Sequence, residues 1–182
     1  NNNWDLSSIN WTNLGVGVAF APGDAVQLDD TAPGSTVINL TTNLMPSQLT
    51  ASNSTLPYTL GGSGAIGGAA SVVKYGGSTL TFTNSGTNSF SGGLVINAGT
   101  VQFGNGGSGG NLPANGQGIT DDGNLVLNLS SSFPVSADRE AIARARALIA
   151  EKGEVFITDE NPFYRISRRG TPLKKNVVFI LL

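Results

Sequence analysis

The sequence predicts a mainly β protein in which short parallel strands stack as the coils of a solenoid. Apolar and polar residues alternate over short runs, which is the period of a half-buried strand. Equivalent inward positions then recur at steps of 20, 22, 21 and 24 residues, from Ile38 through Tyr58, Leu80 and Val101 to Leu125. Repeats of about this length, each a strand or two plus turns, are what a solenoid requires.

Glycine and asparagine interrupt these runs at regular intervals, as in SGG at 91–93 and NAG at 97–99. Both residue types tolerate the sharp backbone bends that the corners of a coil need. The longer stretch GNGGSGG at 104–110 is expected to project from its coil as a loop. An antiparallel β-sandwich shares many of these signals and is the alternative, although the period favours the solenoid. The predicted strands are STVINL at 35–40, YTL at 58–60, TLTFT at 79–83, TVQFG at 100–104 and NLVLNL at 124–129.

Composition excludes several kinds of chemistry. The 182 residues include no cysteine and no histidine, so catalysis by a Ser-His-Asp or Cys-His arrangement is excluded. The net charge of −2 gives no general attraction to nucleic acid or acidic membranes. No apolar run approaches the length of a membrane-spanning helix, and the start NNNWDLSSINW does not resemble a signal peptide.

Charge divides the chain near residue 134. Residues 1–133 carry six acidic residues and one basic residue, Lys74, whereas residues 134–182 carry nine basic and six acidic residues. Glycine follows the opposite course, with 23 of its 25 positions before the step. We therefore expect a repeat domain at 1–133 and a second unit at 134–182, and the step also fits a fused or engineered segment.

The last 49 residues are predicted to form a small α+β unit. The segment from Ser136 to Gly153 has a capping residue, an apolar stripe and a C-terminal glycine, which together indicate one amphipathic helix. EVFIT, PFYRIS and NVVFILL follow as about three strands. At this size the unit is expected to cap the open end of the solenoid, the alternative being an independent small domain.

Residues 67–119 resemble the autotransporter-associated β-strand repeat, and with the segments leading into them the resemblance covers roughly residues 4–130. It implies a right-handed parallel β-helix of a secreted or surface-displayed bacterial protein, with a structural role. Residues 134–182 resemble no family that we identify. The matching parts are Lys74, Gly76-Gly77, Thr79-Leu80-Thr81, Asn88-Ser89-Phe90-Ser91-Gly92-Gly93 and Ile96-Asn97-Ala98-Gly99-Thr100-Val101-Gln102.

Two acidic pairs, Asp29-Asp30 and Asp121-Asp122, raise the question of a glycosidase site or a calcium site. Adjacent strand residues point to opposite faces, so neither pair makes a two-carboxylate site by itself. Both pairs adjoin turns, and we interpret them as solvated turn residues.

A basic cluster with one aromatic residue lies in the tail and is a candidate phosphate or nucleic-acid site. Acidic residues interleaved with it favour an ordinary salt-bridged surface instead. The cluster comprises Tyr164, Arg165, Arg168, Arg169, Lys174 and Lys175.

Trp4 and Trp11 are candidates for sugar stacking, but large aromatic residues at the end of a solenoid more often seal its first coil. Glycosylation motifs matter only in a eukaryotic secretory host, and they occur at Asn10, Asn39, Asn53 and Asn128.

The sequence assigns no catalytic, cofactor-binding or metal-binding residue and no cofactor. It indicates a non-enzymatic scaffold, stalk-like or adhesin-like, at the bacterial cell surface or outside the cell. A carbohydrate-binding or carbohydrate-processing β-helix and a designed or chimeric solenoid with an added cap are the alternatives. Expected partners are other surface proteins or glycans and, end to end, further copies of the chain; nucleic acid is not expected.

Overall fold

The computed structural model describes residues 1–113 and 118–129, together with the backbone of two later strands, Phe163–Ile166 and Val177–Leu181. No helix occurs among these residues, which form strands, turns and loops. Two large sheets and two small ones are present. The predicted parallel solenoid is confirmed, with about four turns.

The first large sheet has eight strands, and all neighbours run parallel except the last two. Its strands arise from strict alternation: in TLTF, Leu80 and Phe82 are buried while Thr79 and Thr81 face outward. All five strands predicted from the sequence lie in this sheet. In spatial order its members are β1 (Asn3–Trp4), β5 (Val37–Leu40), β8 (Tyr58–Gly62), β11 (Thr79–Phe82), β13 (Thr100–Phe103), β15 (Asn124–Leu129), β17 (Val177–Leu181) and β16 (Phe163–Ile166).

A second, wholly parallel sheet forms another side of each coil, and its strands are not among those the sequence predicts. In spatial order they are β14 (Ile119–Asp121), β12 (Leu94–Ile96), β10 (Ser71–Tyr75), β7 (Gln48–Ser52) and β4 (Ala25–Asp29). A short parallel pair lies at the corner between the large sheets in two coils, β6 (Asn43–Leu44) and β9 (Ala65–Ile66). The remaining strands form an antiparallel hairpin in the first coil, β2 (Trp11–Asn13) and β3 (Val16–Val18).

The antiparallel sandwich alternative is wrong, because both large sheets are built from parallel neighbours. Among the described strands, antiparallel pairing is confined to the β2–β3 hairpin and the β16–β17 pair. The handedness predicted from the family resemblance stays a prediction.

One step of the predicted register is wrong. Leu80 pairs with Tyr58, as predicted, and also with Val101, which pairs in turn with Leu125. Ile38, however, pairs with Leu60 rather than with Tyr58. The step of 20 residues is therefore 22. A slip of two residues keeps the same side chains inside, so alternation alone could not reveal it.

The core is a set of columns in which equivalent side chains of successive coils meet. Leu60, Phe82, Phe103 and Leu127 form one such column, and each of them is at most 3% exposed. The rings of Phe82 and Phe103 stack with centroids 4.7 Å apart and planes 9° apart. Because one coil cannot bury its own apolar face, this stacking is what stabilises the fold.

The loop at residues 104–110, which the sequence predicts to project from its coil, is bound to the preceding coil at both ends. Its first and last glycines are buried, and each donates a backbone N–H to the preceding coil, Gly104 to Phe82 and Gly110 to Asn84, both at 2.8 Å. Gly110 has φ +78°, and an added Cβ would overlap the carbonyl oxygen of Phe82. Glycine is needed here because two backbone segments approach closely, not because the loop is free.

Two of the three strands predicted in the tail are present, since PFYRIS contains β16 and NVVFILL contains β17. β17 pairs in parallel with β15 and so extends the larger sheet. The predicted helix and the strand EVFIT lie outside the described residues. The division at residue 134 and the capping role of the tail stay predictions.

Candidate functional site

The first acidic pair organises two turns. Asp29 accepts hydrogen bonds from the hydroxyl group and the backbone N–H of Thr31, at 2.6 and 2.9 Å, and these bonds lower its pKa. Asp30 accepts from the backbone N–H groups of Leu56, Ser54 and Thr55 at 2.8 to 3.0 Å, which lowers its pKa to about 2. Asp30 therefore binds the corner of the next coil, a structural role that its position in the sequence does not reveal.

The two acidic pairs are too far apart to act on one sugar bond. Asp29 pairs with Ser52 and Ser52 with Tyr75, and the ladder continues through Asn97 to Asp122. Asp29 and Asp122 thus stand at the two ends of one column, separated by four strand spacings, or roughly 19 Å. Glycosidases need their two carboxylates within roughly 10 Å of each other. The arrangement does not provide a hydrolytic pair.

Within residues 1–113 and 118–129, no group of three or more acidic residues comes close enough to hold a metal ion.

Trp4 seals the N-terminal end of the core, as its position at the end of the solenoid predicts. Its side chain is fully buried, with its ring centroid 4.9 Å from that of Trp11 and 5.3 Å from that of Phe20, both in edge-to-face geometry. A ring buried in this way cannot stack on a sugar. Trp11 is half-buried and covers Trp4.

The glycosylation motifs are partly built into the fold. Asn53 is fully buried, and its amide group donates to the carbonyl oxygens of Leu56 and Thr79 at 2.6 and 3.1 Å. Asn39 is half-buried and donates to the side chain of Asn3. Asn128 is half-buried in β15, whereas Asn10 is exposed.

The environment of Lys74 was also not predicted from the sequence. It lies on the inward face of β10, in register with Ala51 and Ile96, and is fully buried. Its ammonium group donates to the carbonyl oxygens of Tyr75, of Gly76 at 2.8 Å and of Asn53 at 3.4 Å.

Burial lowers the pKa of Lys74 to about 8, against the opposing effect of Asp30. The ammonium group supplies hydrogen bonds to backbone carbonyl oxygens of this corner. It therefore joins two coils.

An asparagine cluster stabilises the opposite corner. The amide group of Asn84 donates to the carbonyl oxygen of Gly64 at 2.9 Å and to the side chain of Asn88 at 3.1 Å. Asn88 in turn donates to Asn84 and to the carbonyl oxygen of Asn111. Asn84 and Asn88 are at most 1% exposed. The motif containing Asn88 suggested a turn, but no sequence signal indicated a polar network spanning three coils.

Of the basic cluster, only the backbone positions of Tyr164 and Arg165 are described, both in β16. Arg168, Arg169, Lys174 and Lys175 lie outside the described residues, so the phosphate or nucleic-acid interpretation stays a prediction.

The fold and its corners define a parallel β-solenoid in which several buried or corner polar side chains, among them Asp30, Lys74 and Asn84, bind backbone groups of neighbouring coils. Residues 72–103 match the family model of the passenger-associated-transport-repeat. Residues 72–103 therefore carry an autotransporter-associated β-helix repeat, which lies within the range of roughly 4–130 that the resemblance predicted. A search of curated proteins and a search of solved structures each found no match. The described part of the chain contains no helix long and apolar enough to cross a membrane.

Proposed function

We propose that the chain is a non-enzymatic scaffold of a secreted or surface-displayed bacterial protein, holding another part of that protein away from the cell. The match of residues 72–103 to a passenger-type repeat carries this proposal. The continuous columns of buried side chains support it, because a stacked core resists bending and local opening.

Four of the described ionisable side chains that could have contributed to an active site have structural contacts or lie far apart. Asp30 and Lys74 bind the backbone of adjacent corners. Asp29 and Asp122 lie at opposite ends of a column. These placements favour a structural role over a carbohydrate-processing one.

The scaffold role can be tested by displaying the chain on a bacterial surface between a membrane anchor and a distal epitope. Two adjacent residues of β11 give a matched pair of variants: Leu80 is fully buried and Thr81 faces outward. We expect Leu80→Asp to abolish protease resistance and antibody access to the epitope, and Thr81→Asp to preserve both. Equal presentation of the epitope by the two variants would show that the role does not need the solenoid.

A second test measures length. The chain has no cysteine, so cysteines introduced at Thr12 and Thr120 can carry spin labels without competition. Val72 pairs with Leu94, so residues 72–93 constitute one coil. Inserting two further copies of this coil should lengthen the distance between labels by roughly 10 Å, two strand spacings. An unchanged distance would contradict a rigid stacked scaffold.

The carbohydrate alternative is tested separately with a glycan array probed by the intact chain. Binding to one glycan class would support it, and a flat result would contradict it.

A further inference from the structure

The first coil, residues 3–29, carries most of the large exposed apolar side chains of the described chain. The cluster of Trp4, Trp11 and Phe20 already seals the core at this end, so sealing does not explain their exposure. A concentration of this kind commonly marks a surface that contacts another molecule. Of the seven large hydrophobic residues that are exposed among the described residues, four belong to this coil, namely Leu6 (52% exposed), Ile9 (70%), Leu14 (99%) and Val16 (66%).

The same coil ends in a strand with an open edge. β4 is the terminal strand of the five-stranded sheet, and among the described strands only β7 pairs with it. The carbonyl oxygen of Asp24 accepts a hydrogen bond from the backbone N–H of Ser47, on the side of β7. Because alternate residues of a strand point their backbone groups to opposite sides, those of Ala25 and Gln27 face the open edge. An extended chain can add to such an edge as a further strand.

This edge is acidic at both of its ends. Asp24 precedes β4, and Asp29 and Asp30 lie at its other end, about 17 Å further along the strand. Residues 1–73 include four aspartates and no lysine or arginine. Hydrogen bonds lower the pKa of Asp29 and that of Asp30, so both carboxylates stay ionised at neutral pH. The open edge therefore presents negative charge at each end.

These charges distinguish between two kinds of occupant. If a second copy paired its own β4 with this edge about a two-fold axis through Gln27, Asp24 of each molecule would stand opposite Asp30 of the other. Like charges directly opposite each other are destabilising. A basic segment instead places positive charge against the carboxylates. Charge complementarity therefore favours a basic partner over a second copy.

We propose that the open edge of β4 binds an extended, basic segment of another polypeptide as an added strand. The backbone groups of Ala25 and Gln27 pair with the segment, and its basic side chains lie at the two acidic ends of the strand. Alternate apolar side chains of the segment continue the columns that Val26 and Leu28 begin. This contact adds a binding role to the scaffold role and does not depend on it.

A fluorescent synthetic peptide tests the contact on the full chain by anisotropy. In the probe, two lysines flank four alternating valines and threonines, so the lysines stand about 17 Å apart, and both peptide ends are blocked. We expect saturable binding that weakens at least about threefold when salt rises from about 0.05 to about 0.5 M. A matched peptide with glutamates in place of the lysines should bind at least about tenfold more weakly. Equal binding of the two peptides, or binding of neither, would overturn the proposal.

Gln27→Pro tests whether the backbone edge makes the contact. Proline removes an N–H group that faces the open edge and leaves the pairing with β7 intact, as edge strands tolerate. The variant should unfold within a few degrees of the parent chain and bind the lysine peptide at least about tenfold more weakly. Gln27→Thr changes the same side chain, keeps the N–H group and should bind as the parent does. A folded Gln27→Pro variant that binds at parental strength would reject strand addition.

Asp24→Asn combined with Asp29→Asn tests the charge without altering the backbone. Asparagine can still accept the hydrogen bonds that these side chains receive from Ala21 and Thr31. We expect weaker binding of the lysine peptide and a smaller effect of salt, and parental binding would contradict the role of the acidic ends. Sedimentation velocity of the parent chain alone tests the other occupant. Dimers that strengthen with added salt would assign this edge to a second copy and reject the proposal.

Discussion

The ammonium group of Lys74 lies 3.4 Å from the backbone carbonyl oxygen of Asn53, in the preceding coil. On the other side of the same corner, Asp30 accepts hydrogen bonds from the backbone N–H groups of Ser54, Thr55 and Leu56. The corner between β7 and β8 is thus bound by a cation from the coil after it and an anion from the coil before it. Both ionisable groups act on the backbone of a neighbouring coil.

The pKa of Lys74 predicts a dependence of stability on alkaline pH. Burial lowers this pKa from 10.5 to about 8, so between these values the unfolded chain binds the proton more tightly than the folded chain does. The contribution of Lys74 to the free energy of unfolding should therefore rise as pH increases from about 8 to 10.5.

Lys74→Met should remove this contribution, and denaturant titrations of both proteins across that range measure it. The neutral amine still donates hydrogen bonds, so the corner is expected to persist. Parallel pH profiles for parent and variant would contradict the assignment.

Asp30 predicts a dependence of stability on acidic pH that has the same sign as that of Lys74, because folding lowers both pKa values. Hydrogen bonds from Leu56, Ser54 and Thr55 lower its pKa from 3.8 to about 2. Its stabilising contribution is complete above about pH 4 and is lost as pH falls from 3.8 through about 2. In Asp30→Asn the free energy of unfolding should be lower at neutral pH and should fall less steeply with acid.

Asp5 provides a comparison for that experiment, since hydrogen bonds from Ser8 and Ser7 also lower its pKa to about 2. Its bonds stay within residues 5–8, whereas those of Asp30 join two coils. Asp5→Asn and Asp30→Asn should both make the free energy of unfolding fall less steeply as the pH decreases below about 4. Only Asp30→Asn should increase hydrogen exchange at residues 54–56. Equal exchange there in the two variants would argue against a role of Asp30 in binding the corner.

The stacked phenylalanines predict a large effect of truncation. Phe82 is fully buried and contacts the ring of Phe103 in the next coil, so Phe82→Ala leaves a cavity between coils. We expect a loss of about 3 to 5 kcal/mol in the free energy of unfolding. Thr81→Ala, one residue away on the outer face, should cost less than about 1 kcal/mol. Comparable losses in the two variants would contradict the inward placement of Phe82.

Two adjacent glycines predict opposite outcomes. Gly76 has φ +74°, and a Cβ there would overlap the carbonyl group of Asn53, whereas a Cβ on Gly77 meets nothing within 4 Å. Gly76→Ala should therefore lower the free energy of unfolding by more than about 1 kcal/mol. Gly77→Ala should leave it unchanged or raise it slightly, because alanine restricts the unfolded chain. Thermal unfolding of the two variants distinguishes them, and a reversed order would contradict the corner geometry.

Several parts of this arrangement were predictable from local patterns. Alternation in segments such as TLTF identifies the inward side chains, because a strand that is buried on one face requires it. The period of about 22 residues identifies the stacking, because coils of equal length must place equivalent residues above one another. The aromatic seal at Trp4 follows from the need to cover the exposed end of such a stack.

The register of Ile38 and the place of Lys74 could not be predicted in this way. Sliding a strand by two residues preserves its alternation, and only pairing with the neighbouring coil selects Leu60 over Tyr58 as the partner of Ile38. A lone lysine in a strand reads as an exposed residue, since burying an unpaired charge is unfavourable.

The sequence by itself determined the kind of fold, most strands of the larger sheet and the apolar residues of those strands that face inward, since all of these depend on periods within one stretch of chain. The tertiary structure alone decided the second sheet, the register between coils and the roles of Asp30, Lys74 and Asn88. Each of those depends on backbone groups of a different coil, some twenty residues away. The pattern of side chains in one coil does not show where such a carbonyl or amide group will lie.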